Sequence, residues 1–210
     1  MDGGLISGAY KMCSWISKLA YVNILWVLFT VLGLGIFGFG PSSAALFSIQ
    51  RKWILGRTEI PIFKSFWDYY RTHFIKANLL GLSFVVGGML LYLNYQFIIV
   101  MEGPFQSIYI MLTWLFVILF ILTFAYLFPL YVHMEFKSIK EYIKNAFFLA
   151  VTQIASSLTI LIGCFAAYFL INLFPGLLPF YSVSLLGLLC TFNAHRAFNR
   201  LSVEVSGTEK

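Results

Sequence analysis

Three histidines and three cysteines are the side chains of this 210-residue chain best suited to metal or nucleophilic chemistry, and their spacing supports neither. His73, His133 and His195 each fall at the edge of an apolar run. No HExxH pair, His-x-Cys element or carboxylate cluster accompanies them, so a metal site is not expected. Cys13, Cys164 and Cys190 are odd in number and far apart, which is no disulfide framework, and two lie inside apolar runs where a thiol acts as a small hydrophobe. The glycines of GLGIFGFG, residues 33–40, imitate a phosphate-cradling loop. That stretch follows a long apolar run rather than a strand and lacks the P-loop lysine, so it reads as a flexible helix end. No G-x-S-x-G nucleophile element is present. The remaining polar cluster, Thr152, Gln153, Ser156 and Ser157 with Thr159, is either a groove for sugar hydroxyls or a helix-packing face. The chain is therefore expected to be no enzyme and to use no cofactor.

The elements that carry these residues are set by composition. Hydrophobic residues make up 60% of the chain and charged residues 10%, with a mean hydropathy of +0.88, whereas soluble domains carry about 25% charged residues. This is a polytopic membrane protein with an all-α fold. A net charge of +6 in a soluble chain would suggest nucleic acid. Here the Lys and Arg residues fall in the gaps between apolar runs, so the bilayer is the expected partner and nucleic acid is not.

Five spans are expected, at about 19–37, 77–101, 105–131, 146–172 and 178–194, within one membrane domain covering 1–200. An amphipathic helix precedes them and a polar tail follows over 201–210. Residues 19–50 hold no Asp, Glu, Lys, Arg or His, but these 32 residues are short for two spans of about 20 each. They read as one span, a structural hinge at Gly40 and Pro41, and an amphipathic elbow helix surfacing at Arg51, Lys52 and Trp53. With Trp67, those three residues form the candidate contact for lipid or a partner. Six basic residues in 51–76, three in 133–144 and three from Arg196 onward place both connectors and the C-terminus in the cytoplasm. Five spans then put the N-terminus outside. The alternative makes 19–50 a re-entrant hairpin and keeps the N-terminus inside, provided that protein covers the bent backbone.

Phe63-Lys64-Ser65 recurs as Phe136-Lys137-Ser138, and at the same offset Tyr69 matches Tyr142. The two segments are either copies of a lead-in feeding a helical hairpin or two generic basic lead-ins.

Asn23-Ile24-Leu25-Trp26, the Gly40-Pro41-Ser42-Ser43-Ala44-Ala45-Leu46 run, Arg51-Lys52, Phe66-Trp67 and Asn145-Ala146-Phe147 follow one another in order. Together they resemble the YesL-like family of bacterial membrane proteins over nearly the whole chain. Family members often carry a proline and a threonine just before the Gly-Pro, where this chain has Gly35-Ile36-Phe37-Gly38-Phe39. The resemblance implies a cell-membrane protein typical of Gram-positive bacteria, encoded beside oligosaccharide ABC importers and glycan-degrading enzymes, and it supplies no catalytic residues. It favours an accessory subunit bound to the permease subunits of such an importer. An autonomous small-solute transporter or channel is the alternative, and an intramembrane enzyme a third.

Overall fold

The apolar runs fold as helices because a backbone in hydrocarbon must satisfy its own hydrogen bonds. A computed structural model describes residues 2–207 of the backbone and the side-chain environments of 7–196. The helices are α1 (Asp2–Leu32), α2 (Ile36–Ile54), α3 (Ile62–Val100), α4 (Gln106–His133), α5 (Ile139–Thr152), α6 (Ile154–Leu173) and α7 (Leu178–Gly207). Five helical stretches are long and apolar enough to cross a bilayer: 7–32, 62–100, 106–133, 154–173 and 175–196. The described part of the expected tail continues α7 to Gly207, and residues 208–210 lie outside the described residues.

The elbow lies earlier in the chain than expected. The chain reverses at 33–35 rather than at Gly40-Pro41: Leu34 and Gly35 take left-handed φ of 58° and 77°, and the Gly35 N–H returns to the Thr30 carbonyl at 2.8 Å. Gly40 and Pro41 lie inside α2. The reversal is tight because the facing residues are glycines; a Cβ on Gly38 would stand 2.7 Å from the Thr30 Cα.

The helix α2 does not surface as an amphipathic elbow. It is the central helix, with Gly40 through Gln50 all buried, and α1, α3, α4 and α7 pack around it. Its 19 residues span about 28 Å at 1.5 Å per residue, close to the roughly 30 Å of a hydrocarbon core. The returning helix brings Trp53 edge-on to Trp15, with ring centroids 5.5 Å apart. Just beyond, Lys18 Nζ donates to the Thr58 carbonyl (3.1 Å) and pairs with Glu59 (2.8 Å). The first half of α1 therefore stands at the same end as the 51–59 connector, as the hairpin alternative requires, and not across the membrane from it. The returning helix is covered by α3, α4 and α7, whereas at the reversal itself Leu34 is 83% exposed.

The α2–α3 crossing uses small residues. Gly40 lies against Ala77 and Gly81, and a Cβ built on Gly81 would be 3.4 Å from the Gly40 Cα. Such glycine contacts let two backbones approach and replace the hydrophobic driving force that lipid removes. Farther along α3, Phe84 stacks on Phe120 and Phe124 of α4, and Asn94 joins Tyr109 (2.7 Å) and Thr113 (3.0 Å). The two lead-ins differ in form: residues 62–76 are continuous with α3, whereas 139–152 form a separate helix capped by Ser138 and broken from α6 at Gln153.

A cysteine-free variant carrying single cysteines at Gly8, Ser65 or Glu102 tests the hairpin with an impermeant thiol reagent. Positions 8 and 65 are expected to share one labelling pattern and 102 to show the opposite one. Opposite patterns at 8 and 65 would restore the single-span reading of 19–50.

Candidate functional site

Where α2 ends, three helices splay and enclose a cavity of about 1140 Å³. The last turn of α2 supplies Arg51 and Lys52, where cations complement the negative end of the helix dipole. The first third of α3 supplies Tyr69, Arg71, His73 and Lys76, and the end of α4 with its following loop supplies Tyr131 through Phe136.

Aromatic residues brace the walls. His73 Nδ1 and the Tyr131 hydroxyl are 2.8 Å apart, tying α3 to α4. The Tyr142 hydroxyl donates to the Met134 carbonyl (3.1 Å) and accepts from the Phe136 N–H (3.0 Å), which pins the connector between α4 and α5. Lys52 Nζ stands 4.9 Å over the Tyr69 ring. The lining includes Arg51, Lys52, Arg57, Arg71 and Lys76 against one carboxylate, Glu135. Among the described residues none of these five cations forms an ion pair; the ion pair formed is Lys18–Glu59. The Arg51 Nε is buried and makes no hydrogen bond to the protein. A concave surface with an excess of one charge between low-dielectric walls concentrates its field, so the potential in the cavity favours negative charge.

The four residues expected to face lipid or a partner do not form one surface. Arg51 and Lys52 line the cavity. Trp53 is 3% exposed and belongs to the core, so it is removed from that group. Trp67 sits on the side of α3 that meets α1, stacked on Tyr70 and tilted against Phe29, with Arg71 5.6 Å over its ring.

The residues of the expected polar groove serve the α5–α6 break instead of a shared cavity wall. Thr152 is exposed and donates to the Phe148 carbonyl at 2.8 Å. Gln153 is the break itself, with ψ at 58°. Ser156 and Ser157 are buried, and Ser157 Oγ donates to the Ala150 carbonyl (2.9 Å), satisfying a backbone acceptor that the interrupted helix strands. The bracing residue Tyr131 carries no motif and escapes sequence reading, and His73 stands out by residue type without any motif that gives it this role. Tyr69 and Tyr142 did carry a signal, the shared offset between the lead-ins, and both line this one cavity.

Residues 19–95 match the family model described as a protein of unknown function, DUF624. Over most of its length the chain is also similar to three Bacillus subtilis (strain 168) proteins. It is 37% identical to the uncharacterized protein YteU over 183 residues, which cover 87% of this chain and 82% of that one. It is 30% identical to the uncharacterized protein YesL over 202 residues, 96% of this chain and 94% of its relative. The chain belongs to this YesL-like family. A third member, the uncharacterized protein YesV, is 35% identical over 195 residues, 93% of each chain. No solved structure matches.

The residues that carry the family resemblance are placed where they make the fold. Asn23 reaches α7, Trp26 Nε1 donates to Ser43 Oγ across the hairpin at 3.1 Å, and Gly40 meets Ala77. Only Arg51 and Lys52 among them face the cavity.

Proposed function

We propose that this YesL-like protein is an accessory subunit of a bacterial carbohydrate ABC importer, held laterally against the permease subunits in the cell membrane. The basic end and the C-terminus face the cytoplasm in this reading, by the excess of Lys and Arg there.

The observation that supports it best is the filled bundle axis. Ala44, Ala45, Leu46, Ile49 and Gln50 of α2 all have 0% exposure, so the helix at the centre lines no path for a solute. The stretches 19–50, 77–101, 105–131 and 145–194 contain no Asp, Glu, Lys, Arg or His, which gives proton coupling no intramembrane relay. A chain built this way assists uptake by acting on a protein that has its own energy source. Because α2 is enclosed, the contact falls on the outer stripe of α1, Tyr21, Ile24, Leu28 and Val31, each between 41% and 68% exposed, and not on the elbow.

Co-expression with the neighbouring importer, followed by pull-down and size exclusion in mild detergent, tests the reading. The permease subunits are expected to co-elute with the wild type and to be lost from an Ile24→Trp/Leu28→Trp variant. Clean separation, together with unimpaired oligosaccharide uptake in a deletion strain, would sink it. Solute flux through liposomes holding this chain alone would instead favour the autonomous transporter.

A further inference from the structure

We infer that the basic cavity at the end of α2, α3 and α4 is a binding site for phosphate groups, and that the phosphates are those of an anionic phospholipid. This rests on the cavity and not on the importer partnership.

Charge comes first. Five Lys or Arg side chains against the single carboxylate of Glu135 leave the lining strongly positive, and no acidic side chain of the described residues pairs with them. Three of the five are guanidiniums, Arg51, Arg57 and Arg71, whose planar fork matches the spacing of phosphate oxygens. Arg51 lines the cavity from the last turn of α2, and its Nε, itself buried, makes no hydrogen bond to the protein. Lys52 is held in place by the Tyr69 ring, which reduces the side-chain freedom that a ligand must freeze.

The same cavity has an apolar lip that assigns the source. Leu55 and Ile75 line it and are 53% and 73% exposed. A free phosphate has no use for such a lip, whereas a headgroup enters with glycerol and acyl carbons behind it. The position fits as well, since the cavity lies where charge-free helix gives way to basic connector, at headgroup depth. Basic pockets at helix ends on the cytoplasmic side are recognised headgroup sites. At about 1140 Å³ the volume exceeds the usual 300–1,000 Å³ of a small-ligand cleft and admits a headgroup with two phosphates.

The test uses the full chain purified in neutral detergent, with cardiolipin, phosphatidylglycerol, phosphatidylcholine and inorganic pyrophosphate as probes. Native mass spectrometry counts retained lipid, and thermal unfolding reports stabilisation. Cardiolipin, and more weakly phosphatidylglycerol, is expected to be retained and to raise the melting temperature, while phosphatidylcholine does neither. Arg51→Gln/Lys52→Gln and Arg71→Gln/Lys76→Gln should each weaken cardiolipin binding about tenfold or more, given the contribution of each cation near an anionic headgroup. Lys140→Gln/Lys144→Gln removes the same charge from the α4–α5 groove, outside this cavity, and should leave binding unchanged. Stabilisation by pyrophosphate but not by cardiolipin, lost in the same two variants, keeps the phosphate site and assigns it to a soluble ligand. Equal loss in all three variants, or no response to any phosphate-bearing probe, overturns the proposal.

Discussion

Replacing Gly40 with leucine is expected to reduce folded protein in the membrane at least tenfold. Gly40 sits where α2 crosses α3, and even a Cβ there would collide with the Ala77 carbonyl oxygen and stand 2.8 Å from its carbon. That neighbour is backbone, so no side chain can rotate away, and the helices must separate to admit the new atoms. Overpacking a close contact costs about 1–3 kcal/mol. A crossing that also loses its interlocked small residues stands at the upper end or beyond. Gly88→Leu is the control, because a Cβ on Gly88 meets nothing within 4 Å. A fluorescent fusion followed by size exclusion in detergent should give a symmetric peak for wild type and Gly88→Leu, and aggregate or no peak for Gly40→Leu. Equal peaks for all three would mean that the helices do not cross at Gly40.

Asn23→Leu is expected to lower the melting temperature in detergent by about 5–10 °C, corresponding to about 2–4 kcal/mol. The Asn23 side chain is fully buried and spans one rung of α7. Its Nδ2 donates to the Pro179 carbonyl at 2.8 Å, and its Oδ1 accepts from the N–H groups of Val183 and Ser184 at 3.0 and 2.9 Å. Leucine fills a similar volume but returns nothing to those three backbone groups. Gln50 meets the same turn from the other side, donating to the Ser184 carbonyl at 2.7 Å and lying 3.4 Å from the Thr191 hydroxyl. A double-mutant cycle of Asn23→Leu with Gln50→Leu should therefore be non-additive by about 0.5 kcal/mol or more. Strict additivity, or a melting temperature unchanged by Asn23→Leu, would show that these bonds do not hold α7.

Hydropathy made the five long apolar helices legible, because a bilayer demands about 20 charge-free residues and the chain supplies them in blocks. The destination of α2 was not legible. PSSAALFSIQ is small and polar, and a reading based on transfer energies sends such a segment to the surface. In a bundle surrounded by lipid the preference is reversed: small residues let backbones touch, and Gln50 and Ser43 are worth more hydrogen-bonded inside than facing hydrocarbon. The glycines of GLGIFGFG were equally opaque. Gly35 takes the positive φ, while Gly38 and Gly40 serve close approach, and composition cannot separate these uses. Leu34 shares the left-handed turn with no sequence signal at all. At the cavity, Arg51 and Lys52 were legible as a basic cluster and Trp53 as an aromatic neighbour. One step along a helix turns a residue by about 100°, and that step puts Trp53 in the core and its neighbours in the cavity.

The bonds from Asn23 and Gln50 to α7 join residues 134 to 161 positions apart. During synthesis the chain emerges from its N-terminal side at about 5–20 residues per second, so α1 and α2 wait several seconds or longer for the helix that completes them. Throughout that interval the Asn23 and Gln50 amides lack their α7 partners, while Ser43 is already paired with Trp26 of α1. A nascent chain arrested before α7 leaves the Asn23 and Gln50 amides without the partners that satisfy them in the finished bundle. The central helix is the second to be made and among the last to be sealed.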